Sequence, residues 1–352
     1  MPISLKLEAD ASASELRNVL RRSLGQHVTS LVAIGGGRNS RVYRVADEAS
    51  RQYAVKVYFR HVADDRDRLG VEYASLRFLW EHGYRCVPRP LAIDRDYGYA
   101  VYEYIEGTRI VAPEVMAGDI EVVVSFLNAL KGLSGERECL QLPPASEAYF
   151  SGCAVAENVG QRLKRLQGAV AQHPSLREFL DRDFIPIQSE IVRWAQGGFQ
   201  SHGLSWGGEI PQAGRTLSPS DFGFHNALRR VRKEIVFLDF EYFGWDDPAK
   251  MISDFLLHPA MDLSESFKRQ FLAGVMAAHY PGLRKRVEFL YPLFGLKWCL
   301  ILLNEFLPEH LERRGFSQGQ ELDRNALQHQ QLAKARGMLN KIKGEYGQFP
   351  YH

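Results

Sequence analysis

Apolar and polar residues alternate along three runs near the N-terminus, and a two-residue period is typical of β-strands. These runs cover residues 27–34, 41–45 and 52–59. The glycine-rich segment 35–40 separates the first two, and the polar segment 46–51 separates the second from the third. Because short connections join antiparallel neighbours, the pattern predicts an antiparallel meander with a glycine turn at its first bend.

The rest of the chain is dominated by apolar residues spaced three and four apart, the period of an amphipathic helix. One helix is predicted at residues 13–24, and a second follows the meander with Leu69, Leu76 and Leu79 on one face. Further helices are predicted at residues 120–131, 148–172, 176–196, 264–279, 287–306 and 322–346, with Ser146 and Ser264 as N-caps. The pattern therefore predicts an α+β protein, a sheet followed by a mainly helical region.

Length and charge bound the class of protein. A chain of 352 residues exceeds the size that one core usually serves, so two lobes are expected. The 44 Lys and Arg nearly cancel the 42 Asp and Glu, and a net charge of +2 gives no sign of a nucleic-acid or membrane-surface protein. We therefore expect a small-molecule partner, and the sequence indicates no oligomeric state.

Compartment follows from the cysteines and the apolar segments. The four cysteines are scattered without a C-x-x-C pair, so neither a zinc site nor a disulfide framework is predicted. The N-terminus lacks the basic and apolar pattern of a signal peptide, and the apolar stretch 298–303 is too short to span a bilayer. These features predict a soluble, cytoplasmic protein.

Candidate chemistry is concentrated in one later segment. Asp221 is followed by an amide at Asn226, and Asp239 comes directly after an apolar run. The β-prone runs 226–231 and 234–239 can close as a hairpin, which would bring Asn226 beside Asp239. Two oxygen ligands at one hairpin mouth suit Mg²⁺, and an acid, an amide and a second acid in this order fit phosphoryl transfer. From spacing alone, Asp221 and Asn226 are equally well explained as turn residues.

Two charged residues in the first half strengthen the catalytic interpretation. Lys56 lies in an alternating strand after the glycine turn, where phosphoryl-transfer enzymes of the kinase type place a phosphate-binding lysine. Glu72 shares a helix face with three leucines, and a carboxylate there is costly unless it is paired. We predict that Lys56 is its partner. The alternative is that both are solvated surface charges.

Several motifs together resemble the aminoglycoside phosphotransferase and choline kinase family, small-molecule kinases with a protein-kinase-like fold. The motifs are Gly35-Gly-Gly-Arg-Asn-Ser-Arg-Val-Tyr-Arg-Val45, Glu72 to Leu79 continuing through Gly83 to Pro90, Ser220-Asp-Phe-Gly-Phe-His-Asn226 and Leu238-Asp-Phe-Glu241. They occur in family order between about residues 34 and 254. The resemblance implies a two-lobed fold, with an antiparallel-sheet N-lobe at residues 1–105 and a mainly helical C-lobe at residues 106–352.

The resemblance also implies the roles of individual residues. ATP would lie between the lobes, with Lys56 on its phosphates and Glu72 orienting that lysine. Asp221 would be the catalytic base for transfer of the γ-phosphoryl group to a hydroxyl of a sugar, amino sugar or amino alcohol, and Asn226 and Asp239 would bind Mg²⁺. Further nucleotide contacts would come from the glycine turn and from the hinge backbone, at Gly35, Gly37, Asn39, Ser40, Glu103 and Ile105.

The sequence departs from the family at the catalytic motif. The family usually has H-G-D, whereas this chain has Pro219 and Ser220 before Asp221, so Pro219 would have to brace the loop by fixing φ. A nucleotide-binding pseudokinase with a regulatory role is therefore an alternative, against which the retained charged residues argue. Another alternative is a kinase of a larger saccharide or protein acceptor.

Three further predictions concern neighbours of the motifs. His225 should face away from the metal, because adjacent residues of an extended strand point to opposite faces. Glu241 should return to the side of Asp239 and could contact a second ion. Aromatic and acidic residues further along are candidates for the acceptor pocket, although core packing and helix capping explain most of them: Tyr242, Phe243, Trp245, Asp246, Asp247, Trp298 and Glu305.

Overall fold

A computed structural model describes residues 16–351 except 22, 24, 36–38, 60–65, 309 and 311–322. Its first region is built on a five-stranded sheet in the order β1-β2-β3-β5-β4. The strands are β1 (Val28–Gly35), β2 (Ser40–Asp47), β3 (Gln52–Tyr58), β4 (Pro90–Asp94) and β5 (Tyr99–Glu103). All neighbours pair antiparallel, so the predicted meander is confirmed, and β4 is a strand that the periodicity did not predict.

Helix α1 (Arg68–Glu81) packs beside this sheet and begins at Asp67, whose carboxylate accepts a hydrogen bond from the Gly70 amide. Its leucines are buried as predicted, and Glu72 is buried on the same face. The sheet also has a small second core that includes Val19 and Leu20 from the helical residues 16–21. The part of the predicted N-terminal helix before residue 16 lies outside the described residues.

The second region is mainly helical. Its helices are α2 (Ala117–Leu133), α3 (Gly152–Gln167), α4 (Pro174–Glu178), α5 (Ile185–Ser201), α6 (Pro248–Leu257), α7 (Glu265–Met276), α8 (Leu283–Leu302) and α9 (Arg324–Glu345). Helix α8 contacts α3, α5, α6 and α9, which places it at the centre of the helical core. The α+β class and the two-part architecture are thus confirmed, while the division at residue 105 stays a prediction.

One of the two predicted N-caps is wrong. Ser264 does cap α7, since its hydroxyl accepts a hydrogen bond from the Phe267 amide. Helix α3, however, begins after Ser151, whose hydroxyl accepts from the Ala154 amide. Ser146 lies in a turn, and its own amide donates to the Tyr242 carbonyl. The predicted helix therefore extends too far toward the N-terminus, into a turn and an irregular segment.

Short strands in the second region flank the candidate catalytic segment, residues 219–226. Strands β8 (Ala227–Arg229) and β9 (Ile235–Phe237) form the predicted hairpin, and β6 (Thr108–Arg109) pairs with β8. Strands β7 (Thr216–Ser218) and β10 (Gly244–Asp246) form a separate pair, which was not predicted. The segment 219–226 therefore begins at the end of one strand pair and finishes at the start of the other.

Helix α8, continued by a 3₁₀ turn to Phe306, is long and apolar enough to cross a membrane by length and composition. The apolar helix is thus longer than its most apolar part, residues 298–303, on which the sequence-based prediction relied. Of its most hydrophobic window, 83% is buried inside the protein, as expected for a core helix.

Candidate active site

Lys56 lies at the centre of a buried cluster of carboxylates. From β3, its ammonium is 2.6 Å from Glu72 Oε2 on α1 and 2.6 Å from Asp239 Oδ1, just beyond β9. Glu241 Oε2 is 3.6 Å away. The predicted pair with Glu72 is therefore present, and the alternative of two solvated surface charges is wrong. The same lysine links α1 to the segment that follows β9.

Strong electrostatic coupling follows from this packing. Burial alone would lower the pKa of Lys56, but Asp239 and Glu72 hold that pKa well above its usual value. Burial raises the pKa of Glu241 to about 7, with a further contribution from the charge of Asp239. Three carboxylates face two cations here, because Arg68 Nε also lies 3.7 Å from Glu241 Oε1. Acids therefore outnumber bases in the cluster, and a bound cation would offset this difference.

The glycine turn is tied to this cluster through Asn39. Its side-chain amide donates to Glu241 Oε1 at 2.6 Å and to the Tyr242 hydroxyl at 2.5 Å. Gly35 ends β1 at φ +131°, a conformation that L side chains rarely adopt, so glycine is required there. Ser40 begins β2, and Gly37 lies outside the described residues. Asn39, the residue before β2, therefore contacts the cluster, and these contacts are with protein groups.

Asp221 lies at the start of a tight turn after β7. The preceding Ser220 adopts φ +68°, and the Asp221 amide donates to the Pro219 carbonyl at 3.0 Å. The carboxylate is 36% exposed, which leaves it accessible to a bound molecule. Partial burial would raise its pKa, yet hydrogen bonds from His225 and His258 hold that pKa well below its usual value. Asp221 is therefore ionised at neutral pH.

The reason for the His225 prediction, side chains that alternate along an extended strand, does not hold. The His225 Nε2 atom is 3.1 Å from Asp221 Oδ1, so the ring faces the proposed base. The prediction assumed an extended strand, but residues 224–226 form a 3₁₀ turn, in which adjacent side chains do not alternate between two faces. Strand β8 begins only at Ala227.

Asn226 and Asp239 lie at the mouth of the β8–β9 hairpin, as the spacing predicts. The Leu238 amide donates to the Asn226 carbonyl at 2.8 Å, which fixes the two segments side by side. The Asn226 side-chain amide donates to the Asp221 carbonyl at 2.9 Å, so its Oδ1 is left to accept or coordinate. Asp239 adopts φ +66°, and its side chain is 26% exposed.

These donors fit a hard divalent cation. Carboxylate oxygens of Glu72, Asp239 and Glu241 lie within 4.8 Å of one another, and oxygen is the ligand that Mg²⁺ requires. The excess negative charge around Lys56 points the same way. Glu241 lies on the side of Asp239, as the sequence predicts, although its present contacts are with Lys56 and Asn39.

The turn at residues 219–221, which carries the candidate base Asp221 and is called the catalytic turn below, is held in place by a buried lysine. Lys250 of α6 donates to the Ser220 hydroxyl at 2.8 Å and to Asp246 Oδ2 at 2.8 Å, and it pairs with Asp254 at 3.3 Å. The Ser220 hydroxyl in turn donates to the Ser146 carbonyl at 3.2 Å. Side-chain hydrogen bonds thus supplement the fixed φ of Pro219, the only brace that the sequence suggested.

We expect the substitution Lys250→Met to lower the free energy of unfolding by about 3–5 kcal/mol, because it leaves buried acids without their counter-charge. Burial already raises the pKa of Asp246 to about 6 even with Lys250 present. Chemical denaturation would measure the loss. Lys285→Met is the matched control, since Lys285 is 48% exposed and its pair with Glu288 should contribute at most about 1 kcal/mol. Equal losses in the two variants would contradict the bracing role.

The acids proposed for the acceptor pocket are already neutralised. Asp247 forms an ion pair with Arg286 at 2.5 Å and caps α6, and Asp246 is held by Lys250. The aromatic candidates Phe243 and Trp245 are buried in the core, as is Glu305. Trp298 donates to Asp254 at 2.9 Å and packs edge-on against His258, 4.7 Å between ring centroids. Of the set, Trp298 contacts His258, and the Tyr242 hydroxyl accepts a hydrogen bond from Asn39.

The hinge prediction concerned backbone groups at the end of β5. The Glu103 amide donates to the Arg89 carbonyl at 2.8 Å, so that N–H is already engaged. Its side chain accepts from Arg230 at 2.8 Å, which ties the strand to the β8–β9 hairpin. Ile105 is buried two residues further on. An adenine contact at Glu103 would therefore use its carbonyl.

Comparison with known proteins agrees with this geometry. Residues 30–188 match the model of the family described as Phosphotransferase enzyme family. No curated protein matches the sequence significantly. The predicted resemblance to phosphotransferases is nevertheless confirmed by the family match.

Several solved structures share the fold across almost the whole chain. Choline kinase LicA from Streptococcus pneumoniae is 14% identical with a TM-score of 0.61, covering 94% of this chain and 99% of that chain. Spectinomycin phosphotransferase in complex with ADP and spectinomycin is 11% identical with a TM-score of 0.62, covering 94% and 98%. Plasmodium vivax ethanolamine kinase is 14% identical with a TM-score of 0.58, covering 94% and 86%. The predicted kinase-like fold is confirmed.

Proposed function

We propose that this protein, whose residues 30–188 match the model of the phosphotransferase enzyme family, is a small-molecule kinase that transfers the γ-phosphoryl group of ATP to a hydroxyl of a small polar acceptor. The observation that carries the proposal is the convergence of Lys56, Asp221, Asn226 and Asp239 between the sheet and the helical region. Phosphoryl transfer depends mainly on positioning and charge neutralisation, and this set supplies both. A pseudokinase would not need an ionised, accessible Asp221.

The first region binds the nucleotide, and the second provides the base and the acceptor site. The N-lobe, residues 1–105, contributes Lys56, and its glycine turn and hinge hold the nucleotide. The C-lobe, residues 106–352, contributes the base and the acceptor site. Lys56 shifts from Asp239 to the phosphates when ATP binds, while Glu72 keeps it oriented. The compartment is the cytoplasm, where ATP is abundant and the four free cysteines stay reduced.

Asp221 acts on the acceptor. Its free carboxylate oxygen accepts a hydrogen bond from the hydroxyl, which orients the oxygen in line with the γ-phosphorus. The acceptor O–H bond breaks as its proton passes to Asp221, the new O–P bond forms, and the bond to the β–γ bridging oxygen breaks, leaving ADP with the electron pair. In a loose transition state the proton moves late, so orientation is the larger part of the effect.

Asn226 and Asp239 would hold Mg²⁺ through their side-chain oxygens, and Glu241 is placed to contact a second ion. When bound, the cation would neutralise charge that develops on the transferring group. With Asp239 engaged by the cation, the Lys56 ammonium would be available to the phosphates. Asn39 now donates a hydrogen bond to Glu241, so this bond would change if Glu241 contacted an ion.

We expect Asp239→Asn to require much more magnesium than the wild type, because a neutral amide is a poor ligand for this cation. Turnover measured across a magnesium titration at saturating ATP would give the shift. Asp96→Asn, at an exposed turn remote from the cluster, is the matched control. Wild-type magnesium dependence in Asp239→Asn would remove this residue from the metal site and favour Glu241 in its place.

A further inference from the structure

Two histidines converge on one oxygen of Asp221. His225 Nε2 lies 3.1 Å and His258 Nε2 lies 3.3 Å from Asp221 Oδ1. The first ring comes from the catalytic segment, and the second is the residue that ends α6. Among the described residues, no side chain bonds to the second carboxylate oxygen, Oδ2, in the same way. The pair therefore distinguishes the two oxygens of the proposed base.

The backbone fixes the tautomer of His258. The Ala260 amide donates to His258 Nδ1 at 3.2 Å, so that nitrogen is an acceptor and carries no proton. In a neutral ring the proton is then on Nε2, from which it is donated to Asp221. Burial lowers the pKa of His258, which favours this neutral form. The ring is also packed edge-on against Trp298.

The same geometry argues against a metal ion among Asp221, His225 and His258, although their ligand atoms lie within 4.8 Å of one another. The two rings are stacked, with centroids 3.8 Å apart and an interplanar angle of 6°. A nitrogen lone pair lies in the plane of its ring, so an ion at a bonding distance of about 2 Å from both nitrogens would lie far out of both ring planes. An oxygen at 3.1 Å and 3.3 Å lies closer to the direction of both N–H bonds, so the arrangement fits two N–H donors that face one acceptor oxygen.

We propose that His258, together with His225, is a positioning residue that holds Asp221 Oδ1 and leaves Oδ2 directed at the acceptor hydroxyl. The contact joins the end of α6 to the catalytic turn, so the carboxylate is fixed from both sides. Lys250, on the same helix, braces Ser220 one residue earlier. Helix α6 thus sets both the backbone and the side chain of the catalytic turn. This inference rests on the proposed function for its consequence in turnover, but the contact itself can be tested without turnover.

Two substitutions at His258 separate donation from packing. His258→Phe keeps a flat ring for the stack but removes the donor, whereas His258→Gln keeps an N–H at the position of Nε2 but removes the ring. We expect turnover to fall roughly tenfold to a hundredfold in His258→Phe, with KM for ATP unchanged, and to be largely recovered in His258→Gln. The opposite ranking, with Phe active and Gln impaired, would show a packing role and overturn the proposal.

A spectroscopic measurement tests the contact independently of activity. In wild-type protein labelled with ¹⁵N-histidine, NMR should show His258 as the neutral Nε2–H tautomer with a strongly hydrogen-bonded proton. In Asp221→Ala, the chemical shift of that proton should change to the value of a weakly hydrogen-bonded N–H. A protonated Nδ1, or a chemical shift that Asp221→Ala leaves unchanged, would overturn the proposed contact. If the NMR result holds while the wild type phosphorylates no acceptor, the proposed function fails and the contact stands.

Discussion

Replacing Asp221 with Asn is expected to reduce turnover by a factor on the order of a hundred or more while MgATP affinity stays close to that of the wild type. Asparagine preserves the size and turn preference of the residue. It removes the ionised oxygen that accepts the proton, and it removes the charge that the two histidines stabilise. The Lys56 ammonium pairs with Glu72, Asp239 and Glu241 rather than with Asp221, so nucleotide binding should survive.

Nucleotide affinity and acceptor-dependent turnover should be measured on the same preparation of Asp221→Asn. Asp262→Asn is a suitable control because Asp262 is an exposed acid in a loop of the same region. Near-wild-type turnover in Asp221→Asn would reduce Asp221 to a turn residue, the alternative that its spacing leaves open. A loss of MgATP binding equal to the loss of turnover would instead indicate a damaged site.

Replacing Lys56 with Met is expected to abolish turnover and to destabilise the fold together. The sequence suggests that the fold should survive this change, because Lys56 is not an apolar core residue. The structure alters that expectation: the ammonium is the shared partner of Glu72, Asp239 and Glu241. Breaking a buried pair by removing one partner costs about 3–5 kcal/mol, and Glu72 is left buried without its cation.

The double variant Lys56→Met/Glu72→Gln separates the two effects. Removing the uncompensated carboxylate should restore much of the stability without restoring phosphate binding. Thermal unfolding with and without MgATP measures both, since a ligand that binds the folded state raises Tm. If the double variant recovered activity along with stability, Lys56 would have a structural role only.

The elements that the sequence predicts best are those in which a local pattern and a chemical requirement agree. Lys56 and Glu72 illustrate this, because a carboxylate on a leucine-lined helix face needs a cation and the adjacent strand offers one. The β8–β9 hairpin is similar, since two β-prone runs flank a short polar turn. In both cases the partner is implied by the cost of leaving a group unpaired.

The misses have equally specific causes. His225 was assigned by strand alternation, which does not apply to a 3₁₀ turn. His258 and Lys250 reach the catalytic turn from α6, and no local pattern shows that a helix so much later in the chain will pack beneath Asp221. Lys131 likewise binds the carbonyls of Ala213 and Arg215, contacts that its helical period does not reveal. Such contacts depend on tertiary packing.

The central claim is that this protein moves a phosphoryl group from ATP to an acceptor hydroxyl at Asp221. The most direct test incubates the wild type and Asp221→Asn with MgATP and a panel of hydroxylated sugars, amino sugars and amino alcohols, and identifies products by mass spectrometry. We predict that the wild type forms ADP and, in equal amount, an acceptor heavier by one phosphoryl group, and that Asp221→Asn forms neither at a comparable rate. Binding of MgATP without any phosphorylated acceptor, with the same slow ADP formation in both proteins, would contradict the claim and identify a nucleotide-binding module instead.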